Sequence, residues 1–237
     1  CVYPADGKDV VKLFTNAENT LLNTQYLWKN SCMYYTKEIS KTVARRLELK
    51  ESLFYAIEDK ELLLHYQPIV DLESGNLTGV EALVRWHHPK FGMLLPEKFI
   101  PLAKETGLIV DLSKWVLKQA CKQARMWHEA GFKSLSMTIN ISAIEFDQAK
   151  LIGHIEGVLA ETGMPPELLE LDIAESVLMQ DAEMSVKILQ SLKEIGVRIA
   201  IDDFGIGYSS MSYLKHFPID ILKIDRSLTH DIIFDSN

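Results

Sequence analysis

Met184-Ser185-Val186-Lys187-Ile188-Leu189-Gln190-Ser191-Leu192-Lys193-Glu194-Ile195-Gly196-Val197-Arg198-Ile199-Ala200-Ile201-Asp202-Asp203 is the stretch on which the reading of the fold turns. Its first part repeats apolar residues at helical spacing, Met184, Ile188, Leu192 and Ile195. It stops at Gly196, a residue that takes the left-handed backbone past a helix end without a Cβ clash. The next part, Val197 to Ile201, is a short apolar run followed by two acids, the pattern of a buried strand with polar residues at its end.

The same unit recurs along the chain. Apolar runs lie at Leu62 to Val70, Gly79 to Val84, Leu135 to Ile141, Leu168 to Ile173, Val197 to Ile201 and Ile221 to Ile224. Between them fall two further helical stripes that also stop at glycines. Leu112, Val116, Ala120, Ala124 and Trp127 precede Gly131, and Leu151, Ile155 and Leu159 precede Gly163. Six strands alternating with helices predict a (β/α) barrel or a doubly wound sheet. Ahead of this pattern, Val11, Leu13, Phe14, Ala17, Leu21 and Leu22 form a helix too small to hold a core alone. A charged, helix-prone stretch from Ile39 onward connects that helix to the first strand.

Composition narrows the class. The chain has 237 residues, 47% hydrophobic and 24% charged, the makeup of an ordinary globular protein. No apolar run approaches the roughly 20 residues that span a bilayer, and no signal-peptide pattern or starting Met opens it, so we expect a piece of a longer cytoplasmic protein. A membrane anchor upstream in the parent is compatible with this expectation. Cys1, Cys32 and Cys121 are far apart and lack C-x-x-C spacing, which predicts neither a disulfide framework nor a zinc site. A formal charge of -8 speaks against DNA or RNA binding. An acidic protein still binds a phosphate ester where cations invert the local field.

Polar residues interrupt the apolar runs consistently: Glu81 in the second, Asn140 late in the third, Asp172 late in the fourth, Asp202 and Asp203 after the fifth, and Lys223 in the sixth. On barrel strands these side chains converge on the C-terminal mouth, where barrel active sites are built. Several carboxylates and an amide oxygen in one mouth suit a hard cation, Mg²⁺ or Mn²⁺, and the pair Asp202-Asp203 suits two. Two such ions clamp an in-line displacement at phosphorus, with Lys223 orienting water or stabilising developing charge. A single acid at a strand end is more often a cap or a solvated loop residue; the repetition at corresponding strand ends carries the functional reading. His87 and His88 are adjacent on a strand and point to opposite faces, so they are not expected to share an ion. Trp86 and Pro89 read as packing and turn residues, Trp115 and Trp127 as helix packing, and Gly205 and Gly207 as hinges of a tight loop.

These residues stand within motifs that resemble the EAL domain. They are Tyr66-Gln67-Pro68-Ile69-Val70, the run from Glu81 through Ala82 and Leu83 to Pro89, Pro96 to Ile109, Asn140-Ile141-Ser142, Leu169 to Ser176, Asp202 to Ser210, and Leu222-Lys223-Ile224-Asp225-Arg226-Ser227. The resemblance runs from near Leu49 to Ser227, about four fifths of the chain. It implies a TIM-like (β/α) barrel with one reversed strand, hydrolysing the bacterial second messenger cyclic di-GMP to linear pGpG with two Mg²⁺ or Mn²⁺ ions. It further implies that Glu81, Asn140, Asp172 and Asp202 hold the first metal, that Asp202 is shared, and that Asp203 holds the second. Lys223 would contact the nucleophilic water, Gln67, Leu83 and Arg85 the substrate, and Glu175 would steady the loop carrying Asp203 to Ser210. A homodimer through this domain is a further family expectation.

The sequence departs from the family pattern in places. Asp172 stands where the family usually has Glu, and Lys104 replaces another common glutamate. The last two strand-helix units are absent, with a glutamate for the second metal and a glutamine-glycine motif, so the barrel is expected to be incomplete. Residues 1–38 resemble the last helix and strand of a GGDEF domain, with Gln25 where a lysine and Trp28 where a glycine is usual. The expected division is a GGDEF-like tail at 1–38, a connecting helix region at 39–60 and the EAL domain at 61–237, with further sensory domains upstream. The competing expectations are a catalytically silent cyclic di-GMP receptor, which Asp172 favours, and a purely structural EAL-like module.

Overall fold

The computed structural model describes residues 1–27, 32–146, 150–206 and 214–230. Two helices, α1 (Val10–Leu27) and α2 (Lys37–Leu53), precede a seven-stranded sheet. Its strands are β1 (Leu62–Val70), β2 (Leu77–His88), β3 (Gly92–Leu94), β4 (Ser136–Ile141), β5 (Leu169–Ala174), β6 (Arg198–Phe204) and β7 (Ile221–Ile224). The order is β1-β2-β4-β5-β6-β7, with β3 on β2. β1 and β3 run antiparallel to β2, and every pairing from β2 through β4 to β7 is parallel. Between the strands lie α3 (Pro96–Thr106), α4 (Ile109–Glu129), α5 (Ala143–Phe146), α6 (Leu151–Thr162), α7 (Glu175–Leu178), α8 (Ala182–Ile195) and, after β7, α9 (Arg226–His230). The result is a (β/α) barrel-like sheet that does not close among the described residues, with β1 and β7 at its edges.

Alternation along the central strands decides which side chains go where. In β4, β5 and β6 the residues Met137, Ile139 and Ile141, Leu169, Leu171 and Ile173, and Ile199 and Ile201 join one buried cluster with Leu117, Ala120 and Ala124 of α4, Ile155 and Leu159 of α6, and Leu189 and Leu192 of α8. The residues between them, Thr138, Asn140, Glu170, Asp172, Ala200 and Asp202, therefore face the other side of the sheet, because successive strand residues point to opposite faces. At α8 the predicted stop holds: Gly196 takes φ 95°, and its N–H reaches the Lys193 carbonyl.

The structure adds β3 to the six predicted strands. Its pairing on β2 comes after a tight turn at His88, whose Nδ1 accepts from the Lys90 N–H at 3.0 Å. That buried ring packs beside Trp86 and Phe91, while His87 is exposed, so the two histidines do face apart. Trp86 is fully buried in a second cluster with Phe99, Leu102 and Leu112, and its indole N–H donates to Glu61 at 2.8 Å. Leu49, Leu53 and Ala56 belong to this cluster, so the end of α2 is packed into the barrel domain.

α1 forms where the sequence places it, but its faces are reversed. Asn16, Thr20 and Thr24 are buried, whereas Val10, Val11, Phe14, Leu21 and Leu22 are exposed. The Thr20 and Thr24 hydroxyls return to carbonyls one turn back, which satisfies them without a polar neighbour. The strand expected after α1 is not found: residues 32–36 join no sheet among the described residues, since a strand forms only against a partner. Trp28 lies outside the described residues. No described helix is long and apolar enough to cross a membrane.

The central strand gives a direct test of this packing. Leu171→Ala, at a fully buried position in β5, is expected to cost about 2–5 kcal/mol of unfolding free energy by urea titration. Met126→Ala, on a residue that is 61% exposed, is expected to change it by no more than about 0.5 kcal/mol. An unmoved midpoint for the first variant would contradict the placement of β5 at the centre of the core.

Candidate functional site

The parallel register arranges the inward polar residues in rows. Glu81, Thr138, Glu170 and Arg198 form one row across β2, β4, β5 and β6. Asn140, Asp172 and Ala200 form the next row toward the C-terminal ends, and Asp202 pairs with Ala174 one row further on. Glu81, Asn140, Asp172 and Asp202 thus climb diagonally across the sheet, the stagger expected when tilted strands wrap toward a barrel. Each comes from a different strand, as sites at the mouths of such barrels are built.

Short contacts tie this diagonal together. The Asn140 side-chain amide donates to Glu81 Oε1 at 2.8 Å. Lys223, from β7, donates its ammonium to Asp172 Oδ2 and stands 3.6 Å from Glu81 Oε2. Asp172 is almost wholly buried, and burial pushes its carboxyl up to about 7 against the opposing pull of Lys223, with the Asp202 and Glu81 charges adding to the rise. Burial likewise works against the Lys223 ammonium, yet its hydrogen bond to Asp172 and the charges of Asp172, Glu81 and Asp202 outweigh it and hold its pKa above the ordinary lysine value. The site therefore concentrates negative charge around one cation supplied by the chain itself.

Asp203 is set apart from Asp202 by backbone geometry. Its φ of 55° is left-handed, a conformation that aspartate tolerates better than most residues. The β6–β7 register slips between Ile201 and Phe204, so a bulge turns the exposed Asp203 away from regular alternation. Burial and the charges of Asp202 and Asp225 raise its pKa. Immediately beyond, the Gly205 N–H donates to Glu175 Oε2 at 3.2 Å, and Glu175 is itself buried at the head of α7. Glu175 thus grips the chain just past the acidic pair. Gly207 to Ser210, the rest of that loop motif, lie outside the described residues.

Gln67, Leu83 and Arg85 occupy the β1–β2 side of the mouth. Gln67 is paired with Glu81, and Leu83 and Arg85 follow Glu81 at alternate positions, so all lie on its face of the sheet. Arg85 Nη1 is 2.8 Å from the Val84 carbonyl. Trp127 meets the ring of Tyr66 edge-on at 4.8 Å and is a packing residue. One layer escaped the sequence reading: Thr138 donates to the buried Glu170 at 3.1 Å, with Arg198 3.9 Å away, directly below the Asn140–Asp172 row. Its signal was present in Leu169-Glu170-Leu171-Asp172, where two acids at alternate positions must share a face. The weight that Asp225 places on Asp203 was likewise unassigned.

Whether these residues fit a divalent ion can be judged from the donors. Asp172 Oδ1 is buried and has no hydrogen-bond partner among the described residues. The groups around it, Glu81, Asn140 and Asp202, offer oxygen ligands only, which favours Mg²⁺ or Mn²⁺ over zinc. Among the described residues no three acidic, histidine or cysteine side chains form a ready-made metal cluster. The Asn140 oxygen is needed to complete the set, and the Lys223 ammonium stands among the carboxylates.

Comparison with known proteins agrees with this geometry. The EAL domain profile matches residues 50–237. MucR of Pseudomonas aeruginosa, a bifunctional diguanylate cyclase/cyclic di-GMP phosphodiesterase, is 39% identical over 236 residues, covering 100% of this chain and 34% of MucR. The cyclic di-GMP phosphodiesterase NbdA of the same organism is 38% identical over 231 residues, covering 98% of this chain and 30% of NbdA. The chain thus spans about a third of the length of these relatives. The solved PaMucR phosphodiesterase in complex with c-di-GMP superimposes with a TM-score of 0.77 at 44% identity, over 80% of this chain and 76% of that one. With the staggered acidic diagonal, the reversed first strand and this match over most of its length, the chain belongs to the EAL domain family.

Proposed function

We infer that the protein hydrolyses cyclic di-GMP to linear pGpG at the mouth of its EAL barrel, as part of a bacterial signalling protein. The observation that carries this reading is the joining of Glu81, Asn140, Asp172 and Lys223 on neighbouring strand ends, with a buried Asp172 oxygen left unpartnered. The names of the relatives MucR and NbdA support the reaction class, and the c-di-GMP complex of PaMucR supports the ligand.

In this reading Glu81, Asn140, Asp172 and Asp202 would hold one Mg²⁺ or Mn²⁺, and Asp202 and Asp203 would hold a second. Such ions supply positive charge at the scissile phosphate and make a nearby water more acidic. Arg85 presents a planar fork suited to a phosphate oxygen, Leu83 precedes it on the same face of β2, and Gln67 stands on β1 opposite Glu81. Lys223 orients the attacking water and offsets charge developing on the phosphoryl oxygens. Glu175 fixes the Gly205 amide and so the position of Asp203.

Residues 1–38 are proposed to be the tail of a GGDEF-like domain and 39–60 the connecting helix region. The exposed Val10, Val11, Phe14, Leu21 and Leu22 of α1 support this, because an apolar helix face of that kind ordinarily packs on a neighbouring domain.

A second reading, a silent cyclic di-GMP receptor, draws on Asp172. Its carboxylate is a methylene shorter than the family's usual glutamate and is engaged by Lys223. Chromatography of products formed by the full-length protein from cyclic di-GMP and Mn²⁺ separates the two. We expect linear dinucleotide, lost by at least about a hundredfold in Glu81→Ala, the scale seen when metal-site groups are removed. No product from folded, metal-loaded protein would leave the receptor reading standing alone. Asp172→Glu is expected to tighten Mn²⁺ binding by roughly tenfold, equivalent to about 1.4 kcal/mol, as read by calorimetry. A weaker or unchanged affinity would show that Asp172 already reaches the ion.

A further inference from the structure

Outside the barrel mouth, a cleft of about 540 Å³ opens between the starting turns of α4 and α6, lined by Val110, Lys114, Glu145, Lys150, Gly153 and His154 among others. Its volume lies within the ordinary range of small-ligand sites. Two lysines border it, and the Nε2 atom of His154 is buried there with no hydrogen-bond partner among the described residues. A buried ring nitrogen left unpaired costs free energy that a ligand atom can recover.

The remaining groups leave room for an anion. Glu145, the carboxylate in the cleft, is already engaged: its Oε2 accepts from the Ser142 N–H at 2.9 Å and the Ser142 hydroxyl at 2.6 Å. Burial raises its pKa against those bonds and against the charge of Lys104. Lys114 is held by Asp111 only at 3.6 Å on an exposed surface and is free to turn inward. The N-cap residue Lys150 makes no side-chain cap on α6, and among the described residues nothing lies within 4 Å of where a Cβ on Gly153 would stand, so a ligand can approach the backbone at the helix start.

We propose that this cleft binds a small oxyanion, a phosphate or carboxylate group, between Lys114, Lys150 and the Nε2–H of His154. The site is distinct from the acidic diagonal but near it in the chain: Glu145 is tied to Ser142, which comes just after the end of β4 where Asn140 sits. An anion there would be positioned to stiffen the segment that leads away from Asn140.

The test is an NMR titration of metal-free, full-length protein with inorganic phosphate and, separately, succinate, following the His154 ring signals assigned with His154→Gln. A saturable shift is expected. It should weaken by roughly tenfold or more when Lys114→Ala and Lys150→Ala are combined, the scale of lost charge-assisted hydrogen bonds. It should persist in Glu81→Ala, which separates it from the barrel mouth. Saturation by both probes supports a general oxyanion site, and saturation by phosphate alone narrows it to phosphate groups. Absence of a saturable shift with either probe, or a shift indifferent to loss of both lysines, overturns the proposal.

Discussion

The contact between the Lys223 ammonium and the buried Asp172 carboxylate is the constraint that sets the geometry of the site. A carboxylate that is almost wholly buried pays heavily for its charge unless a cation stands beside it. Here the cation comes from β7, two strands away across β6, so the pairing fixes how the last described strand sits against the centre of the sheet. The same ammonium lies within reach of Glu81 on β2, and Asn140 joins Glu81 from β4. Side chains from β2, β4, β5 and β7 are thereby held in one group around a single ammonium, and the strand stagger is what allows them to meet.

Much of this was legible in the sequence because the relevant signals are local and periodic. The runs around Met137, Leu171 and Ile199 alternate strictly enough to announce buried strands, and the acids at 81, 172 and 202 fall at matching places in those runs. What was not legible depends on neighbours. β3 exists because a turn at His88 folds three residues back on β2, and three residues carry no period of their own. The Glu170–Thr138 pair below the site needed the register between β4 and β5 before its partner could be named. The turning away of Asp203 rests on a bulge, and nothing in the letters Asp-Asp-Phe-Gly states that φ becomes positive there.

α1 shows a different limit. Its apolar residues recur at helical spacing, and spacing alone predicts that the apolar face is the buried one. The polar face is buried instead, with Asn16 donating to the Asp6 carbonyl at 2.6 Å and Asn19 meeting Ser40 on α2. Periodicity identifies a face; which partner covers it is a property of the rest of the molecule. α1 thus turns its polar face toward α2 and leaves its apolar side open.

On the function proposed, the length of the side chain at 172 bears on the choice between turnover and silent binding. Aspartate projects one methylene less than glutamate, and its Oδ1 is buried without a partner among the described residues while Oδ2 is held by Lys223. On the function proposed, Glu81, Asn140 and Asp172 would hold a divalent ion together, and Lys223 would share the Asp172 carboxylate with it. The raised pKa of Asp172 shows that burial, more than Lys223, sets its electrostatic state. A doubly charged ion placed at Oδ1 would relieve that burial more fully than a lysine does, since it brings twice the charge to the orphaned atom. On the function proposed, the shorter side chain would therefore leave the reason for a metal to bind in place.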